Sequence, residues 1–357
     1  MLIHYPFRFL KDNIKRGLKI PSSPFLLNYS VTFRCVLDCK YCGVARLNNN
    51  LADEELTAQD VSAFLKDRML KKLKVIIISG GEPFLKNDLA QILLEFKESV
   101  SPYIFHITTN GYLSDKIVKS IKFLKKNGLN IVLKVSVDDI ADKHDLLRNN
   151  RGSFERAVDT IRRLRGSFNS KELPIGINQT IFEENYRSIP EVSSLAKNLS
   201  ASYRGFVGLK GRPLYTGIKN EEYGLVELSD DARSYIADKF RNIYYRQRSV
   251  DGCAGLFDEM VIRHYIGGQI RMLENNKPIG HRCMSLFTYF RLNPNGDIIT
   301  CSYDLDVLGN LKKESYSSIM NKKQTRDKLD KVKGCGRCWL GCEVTPSWAS
   351  SLFIPWR

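Results

Sequence analysis

Several features that would place a protein in a membrane or outside the cell are missing from this sequence. No stretch of the 357 residues approaches the roughly 18 consecutive apolar residues of a membrane span. The N-terminus, MLIHYPFRFL, lacks a basic start followed by a long apolar core and a cleavage site, so no secretory signal is predicted. We therefore expect a cytoplasmic protein, whose nine cysteines are not paired as disulfides.

Acidic residues are scarce relative to basic ones, with 39 Asp and Glu against 55 Lys and Arg and a net charge of +16. The plainest interpretation of this excess is a solvated basic surface. It is also compatible with an anionic substrate or partner, and with peripheral contact between the basic N-terminal residues and a membrane surface. No recognisable nucleic-acid-binding motif accompanies the charge, so we predict no nucleic-acid partner.

Apolar segments alternate with helical ones through the first two thirds of the chain. Six segments have the β-branched, apolar character of buried strands: 26–34, 74–83, 103–111, 130–139, 173–185 and 201–210. Strands that alternate with helices predict an α/β fold with a parallel sheet. Six such units are too few for a closed eight-fold barrel, so we expect a partial (β/α)6 barrel of the TIM type.

The pattern changes after about residue 215. Residues 282–304 read as two strands that flank Asn295-Gly296, a strong hairpin signal. We therefore divide the chain into a barrel with a small C-terminal domain that contains this hairpin. The predicted boundaries are an N-terminal extension (1–25), the barrel (26–215), a connecting helical segment (216–280), the C-terminal domain (281–345) and a tail (346–357).

Three cysteines, Cys35, Cys39 and Cys42, lie within eight residues directly after the first predicted strand. A structural zinc site needs four ligands, so zinc here would require a remote fourth partner. Three thiolates can instead hold three irons of a 4Fe–4S cube and leave the fourth iron open to another ligand. The count of three therefore favours an iron–sulfur cluster that binds a cofactor, with zinc as the alternative.

This motif, with Tyr41 before its last cysteine, resembles the signature of the radical S-adenosylmethionine (radical SAM) enzymes. The resemblance extends over roughly residues 26–210 and implies a 4Fe–4S cluster whose open iron binds S-adenosyl-L-methionine. It further implies reductive cleavage of that cofactor to a 5′-deoxyadenosyl radical, which abstracts hydrogen from a substrate. The protein would then supply placement and exclusion of water.

The same resemblance assigns further residues to the cofactor site: Tyr41, Gly80, Gly81, Glu82, Pro83, Thr109, Asn110, Ser136 and Arg148. The Gly80–Pro83 loop would offer carbonyl and carboxylate acceptors to the methionine amino group. Ser136 would contact the ribose, and Arg148 would clamp the carboxylate, although a surface arginine is the alternative. Asn178 and Thr180 are weaker candidates for the adenine or ribose side.

A second cysteine set, Cys283, Cys301, Cys335, Cys338 and Cys342, resembles the accessory region called SPASM, or its short form, twitch. A full SPASM region has seven cysteines and two clusters, whereas these five can fully ligate one auxiliary 4Fe–4S cluster. Cys283, Cys301, Cys335 and Cys338 would close it, leaving Cys342 as a spare, an alternative ligand or a catalytic thiol. A zinc ribbon on the same thiolates is the alternative. Cys253 and His281 are more typical of a core.

These motifs predict a radical SAM oxidoreductase with one auxiliary cluster as a one-electron acceptor. We expect a small polar metabolite, of the sugar or aminocyclitol type, as its substrate. The alternative is a maturase of a ribosomally made peptide, although the 34 residues before Cys35 are too few for the usual fused leader-binding domain. A non-catalytic iron–sulfur or zinc protein would leave Gly80–Pro83 and Ser136 unexplained. The expected electron donor is a flavodoxin or ferredoxin.

Overall fold

One sheet organises the part of the chain that the computed structural model describes, namely residues 5–18, 20–44, 54–209, 225–246, 256–275, 281–336 and 338–351. Nine strands in these ranges belong to it: β1 (Leu26–Thr32), β2 (Val75–Gly80), β3 (Ile104–Thr109), β4 (Ile131–Ser136), β5 (Ile175–Ile181), β6 (Ser202–Val207), β7 (Tyr289–Leu292), β8 (Asp297–Ile299) and β9 (Val307–Asn310). Their order across the sheet is β6-β5-β4-β3-β2-β1-β7-β8-β9.

Helices connect and cover the strands. Those in the described ranges are α1 (Tyr5–Gly17), α2 (Ala58–Phe64), α3 (Leu89–Val100), α4 (Ser114–Lys126), α5 (Ala141–Arg148), α6 (Ser153–Arg165), α7 (Ile189–Asn198), α8 (Asp230–Arg241), α9 (Leu256–Asn275), α10 (Tyr316–Asn321), α11 (Lys323–Gly334) and α12 (Gly341–Ser351). Short 3-10 turns lie at Arg68–Lys72, Pro83–Leu85 and Tyr186–Ser188, and a π turn at Asn242–Arg246. None of these helices combines the length and apolarity needed to cross a bilayer.

Strands β1 to β6 are parallel and lie side by side in chain order, as the alternating pattern predicts. The sheet does not close on itself, because β6 and β9 stand at its two ends. The predicted α/β fold with an open parallel sheet is therefore confirmed.

The two faces of β2 to β6 differ in exposure. One face is buried beneath the helices, where Ile76 and Ile78 pack in one core with Leu93 and Phe96 of α3. The residues that alternate with these are partly exposed and mostly polar, and we call this side the inner face: Ile77, Ser79, His106, Thr108, Lys134, Ser136, Asn178, Thr180 and Arg204.

The predicted hairpin about Asn295-Gly296 is present as the antiparallel pair β7 and β8. Gly296 has a φ of +93°, which explains the glycine at this turn. The first hairpin strand, β7, also pairs in parallel with β1, Leu26 opposite Tyr289 and Tyr29 opposite Leu292. The C-terminal segment therefore extends the same sheet that the six predicted strands begin.

Edge strand β6 is shielded by side chains from two later elements. Tyr244 accepts a hydrogen bond from the Gly205 amide at 2.9 Å, and Gln269 of α9 accepts one from the Val207 amide at 2.7 Å. Paired edge groups of this kind remove a template for intermolecular strand pairing. Side chains thus replace the next strand at the open end of the sheet.

The N-terminal helix α1 packs on the C-terminal helices α11 and α12. Its buried Arg16 donates from Nε to the Cys283 carbonyl at 3.0 Å and from a terminal nitrogen to the Lys333 carbonyl at 2.5 Å. The start of the chain is thereby fixed beside the second cysteine set.

Candidate functional site

The segment before Cys35 is built from the end of β1 and the glycine loop after β2. The Gly81 amide donates to the Thr32 carbonyl at 2.8 Å, and the Glu82 amide donates to the Arg34 carbonyl at 2.9 Å. A Cβ on Gly80 would lie 2.1 Å from the Thr32 carbonyl oxygen, and one on Gly81 would lie 2.2 Å from that of Arg34. Only glycine permits this approach, which sets the loop against the chain that enters the cysteine motif.

Glu82 joins the glycine loop to the end of β3. Its carboxylate is fully buried and accepts hydrogen bonds from Thr109 Oγ1 and the Asn110 amide, both at 2.8 Å, and from the Phe84 amide at 3.2 Å. Burial raises the pKa of Glu82 to about 7, although the three hydrogen-bond donors act to lower it. The Asn110 Nδ2 atom lies 3.7 Å from Cys35 Sγ, so two of the predicted site segments meet at the first cysteine.

Cys39 is approached from the other side by the end of α5. The Lys40 amide donates to the Leu147 carbonyl at 2.9 Å, and Arg148 places a terminal nitrogen 3.8 Å from Cys39 Sγ. The same guanidinium forms a 2.6 Å ion pair with Asp138, and the two side chains are only 12% and 11% exposed. Arg148 is therefore a buried cation beside the cysteine motif, and the surface-arginine alternative is wrong.

Tyr41 packs on the segment that follows β5. Its ring stacks on Phe182 with a centroid separation of 3.7 Å, and the neighbouring Lys40 pairs with Glu184 at 3.1 Å. Neither Phe182 nor Glu184 is predicted to belong to the site, although both lie at the end of the predicted strand segment 173–185 and directly follow the observed β5. A position at the carboxyl end of a parallel strand is the signal that could have identified them.

The thiols of the three-cysteine motif suit a cluster better than a single ion. Burial and, less strongly, the Cys39 and Cys42 sulfurs raise the pKa of Cys35 to about 11, so the three sulfurs lie close together. Among the described residues, no three Cys, His, Asp or Glu side chains are placed to ligate one metal ion. A four-iron cube takes each thiolate on a separate iron and supplies the positive charge that such crowded thiolates need. The donor set therefore fits the 4Fe–4S cluster that the motif implies.

The remaining predicted cofactor residues lie on the inner face near the same end of the sheet. Ser136 of β4 is paired in register with Asn178 of β5. Asn178 Oδ1 is buried and has no hydrogen-bond partner among the described residues. An orphaned buried acceptor costs free energy unless a ligand or water satisfies it, so this row suits a polar ligand. Thr180 lies one inner-face step further along β5 and donates its amide to Asp138 at 2.8 Å.

The second cysteine set gathers around the β7–β8 hairpin. Cys283 and Cys335 face one another, with the Cys283 amide 3.4 Å from the Cys335 carbonyl, and their contact raises the pKa of the Cys283 thiol. Burial raises the pKa of Cys301 to about 12 and that of Cys338 well above its usual value. The structure thus brings together the four cysteines predicted to close the auxiliary cluster. Predictions for Cys253 and for the side chain of Cys342 lie outside the described residues.

A buried ion pair lies beside this second set. Glu343 of α12 pairs with Arg291 of β7 at 2.8 Å, and these side chains are 1% and 4% exposed. The Glu343 charge adds to the raised pKa values of Cys283, where the Cys335 contact and burial are the larger causes, and of Cys301 and Cys338, where burial is the larger cause, so the carboxylate is close to all three. Neither Arg291 nor Glu343 is predicted from the sequence, because a single charged residue carries no motif.

Comparison with known families agrees with this geometry. Residues 29–192 match the radical SAM superfamily, and residues 283–342 match SPASM, an iron–sulfur cluster-binding domain. Fe-coproporphyrin III synthase of Methanosarcina barkeri is 30% identical over 218 residues, which are 60% of this chain and 51% of that protein. PqqA peptide cyclase of Gluconobacter oxydans is 28% identical over 208 residues, 57% of this chain and 54% of that protein.

Among solved structures, Streptococcus suis SuiB bound to its precursor peptide SuiA has the same fold, with a TM-score of 0.60. The match covers 90% of this chain and 70% of SuiB, at 16% identity. The chain spans about half the length of the curated relatives it matches. The comparisons therefore support the two domains that the cysteine motifs predict and the fold that the sheet shows.

Proposed function

The chain carries a radical SAM domain followed by a SPASM domain, and from this premise we propose that it oxidises a peptide. The observation that carries the proposal is the pairing of β1 with β7. Strand β1 leads into the three-cysteine motif, and β7 opens the hairpin around which the second set gathers. Two redox centres placed by adjacent strands can serve one substrate at the inner face.

The two domains imply a 4Fe–4S cluster with S-adenosylmethionine and an auxiliary iron–sulfur cluster. We infer that Cys35, Cys39 and Cys42 hold the first, and that Cys283, Cys301, Cys335 and Cys338 hold the second. When bound, these groups supply a 5′-deoxyadenosyl radical for hydrogen abstraction and a one-electron acceptor for the substrate radical.

The side chains around the first set would position the cofactor. Arg148, oriented by Asp138, presents a buried positive charge suited to the methionine carboxylate. The Gly81 carbonyl and Glu82 would accept from its amino group, since Glu82 Oε2 accepts one hydrogen bond from protein groups whereas Oε1 accepts two. Ser136 and Asn178 would hydrogen-bond the ribose or adenine, which would satisfy the orphaned Asn178 oxygen.

A peptide substrate is favoured over a sugar or aminocyclitol. PqqA peptide cyclase is by its name a peptide-modifying enzyme, and SuiB is solved with a precursor peptide. The inner face is partly exposed along five strands, which leaves length for an extended segment. The sequence-based expectation of a sugar or aminocyclitol gains no support from the relatives compared above.

The test is anaerobic reconstitution to about eight irons per chain, followed by reaction with dithionite, S-adenosylmethionine and the short peptides encoded beside the gene. We expect release of 5′-deoxyadenosine and a peptide that loses two hydrogen atoms, detected by mass spectrometry. Cys39→Ala should lose both products, whereas Cys301→Ala should keep substrate-free cleavage and lose peptide oxidation. Absence of 5′-deoxyadenosine from iron-loaded protein would refute the enzyme class, and oxidation of a metabolite but no peptide would refute the substrate.

A further inference from the structure

Three basic residues lie on the inner face of the sheet, on three different strands. His106 is on β3, Lys134 on β4 and Arg204 on β6, each at a position that alternates with residues buried beneath the helices. Arg148, the cation described above, lies at the end of α5 beside Cys39 and not on this face. The three residues therefore form a separate group, which we call the inner basic set.

Strand register locates the inner basic set relative to the proposed cofactor residues. Arg204 is paired with Asn178, which is paired with Ser136, so these three residues form one row across the sheet. Lys134 lies one inner-face step before Ser136 along β4, opposite Thr108. The set thus begins at the level of the proposed ribose contacts and continues along the inner face away from the carboxyl ends of the strands.

The residues level with Lys134 on the next two strands are small. Its neighbour on β5 is Gly176, whose own neighbour on β6 is Ser202. A Cβ on Gly176 would approach Ser202 Oγ to 3.0 Å, so this row is lined by small groups. Two long cationic side chains with small residues between them suit a ligand group that reaches across the strands.

The charges of the set act on one another. The pKa of His106 is held well below its usual value, first by burial and then by the positive charges of Lys134 and Arg204. Its Nδ1 atom is buried and has no hydrogen-bond partner in the part of the chain described. An imidazole that is kept neutral by burial and by two nearby cations can still donate a hydrogen bond to a ligand or accept one from it.

We propose that the inner basic set binds a carboxylate of the substrate, so that the oxidised peptide carries an acidic residue next to the reacting carbon. This inference rests on the proposed peptide substrate. Arg204 would supply a planar pair of donors, Lys134 a compact point charge, and His106 a further hydrogen bond. A carboxylate is preferred because peptides carry it in Asp, Glu and the C-terminus without modification.

The test measures binding and not turnover, by calorimetry on iron-loaded protein saturated with S-adenosylmethionine. The probes are N-acetyl-glutamate N-methylamide, its glutamine counterpart and inorganic phosphate. We expect the glutamate probe to bind about tenfold more tightly than the glutamine probe, as for one charged hydrogen-bonded contact. Lys134→Met and Arg204→Met should abolish this preference, and Arg204→Lys should keep part of it. Lys119→Met, on the exposed side of α4, is the matched control and should change nothing.

Equal binding of the two amide probes to the wild type would overturn the proposal, as would a preference that survives both methionine variants. Tighter binding of phosphate than of the glutamate probe would also overturn it, in favour of a phosphorylated ligand. Iron content and circular dichroism identify a variant that fails to fold. In that case the charge-conserving Arg204→Lys variant tests the site, because it should keep part of the preference for the glutamate probe. If the protein prefers the glutamate probe but oxidises no peptide, the proposed function is refuted and this site is not. If it oxidises a peptide but binds both amide probes equally, only this site is refuted.

Discussion

The buried pair between Arg291 and Glu343 allows a quantitative prediction. It joins β7 to α12 at 2.8 Å, with 4% and 1% of the two side chains exposed. Replacing Arg291 with Met keeps most of the buried volume and removes the guanidinium. Glu343 would then stay buried between the sheet and α12 without the guanidinium that its Oε1 atom contacts.

The expected cost follows from the burial. Removing one partner of a buried ion pair typically costs about 3–5 kcal/mol, because the remaining charge is desolvated without compensation. The double variant Arg291→Met/Glu343→Gln removes both charges and should recover most of that loss. The two single variants and the double variant form a thermodynamic cycle whose coupling term reports the pair directly.

The measurement is urea unfolding of the iron-loaded protein, followed by circular dichroism. With a slope near 3 kcal/mol per molar urea, the Arg291→Met midpoint should fall by about 1–2 M. Arg163→Met is the matched control, because Arg163 forms a pair of the same 2.8 Å length with Asp115, whose side chain is 94% exposed. Exposed pairs contribute about 0–1 kcal/mol, so this control should shift the midpoint little.

Two outcomes would contradict the reasoning. An Arg291→Met midpoint equal to that of Arg163→Met would mean that the buried pair contributes no more than an exposed one. A double variant as unstable as Arg291→Met would mean that lost packing, and not an uncompensated charge, causes the destabilisation.

Two further predictions concern the first cysteine motif. Gly80→Ala should sharply reduce the yield of folded, iron-loaded protein, because the new Cβ would lie 2.1 Å from the Thr32 carbonyl oxygen at a φ of +124°. Gly334→Ala is the control, because a Cβ there would meet nothing within 4 Å. Iron content and the urea midpoint measure the effect, and equal yields of the two variants would contradict the prediction. Burial, followed by the Arg148 charge, lowers the pKa of His144 from 6.5 to about 4. The unfolded chain therefore binds a proton that the folded protein excludes, and stability present above pH 6.5 should be lost as the pH falls toward 4. His144→Gln should flatten this slope in urea midpoints measured against pH, and an unchanged slope would show that other groups cause it.

Much of the fold is predictable because local sequence patterns, namely apolar runs and turn residues, determine it. The predicted segments 74–83, 103–111 and 130–139 contain the strands β2, β3 and β4 and extend one residue before and two or three residues beyond them. Short buried strands between amphipathic helices are compatible with few folds other than a parallel α/β sheet. The Asn295-Gly296 pair predicts the β7–β8 hairpin directly. The cysteine spacings are equally local, so their grouping into two sets follows from the chain alone.

The contacts that position the site are not local, and the sequence carries no sign of them. Arg148 approaches Cys39 across more than a hundred residues of chain. The stacking of Tyr41 on Phe182 and the parallel joining of β1 to β7 have the same character. Such pairings depend on the three-dimensional meeting of strand ends, which hydrophobic periodicity does not encode.

Each cysteine set has a buried arginine–carboxylate pair beside it, and the member nearer the sulfurs is Arg148 in the first set and Glu343 in the second. Arg148 stands beside the first set, where a positive charge favours binding of an anionic cofactor group. Glu343 stands beside the second, where an uncompensated carboxylate would oppose the arrival of an electron, since net charge near a cluster sets its reduction potential. Arg291 neutralises that carboxylate at 2.8 Å. The buried pair therefore holds α12 against the sheet and, in an electron-accepting role for the second set, cancels the Glu343 charge, so that Arg16 beside Cys283 adds a positive charge near the acceptor.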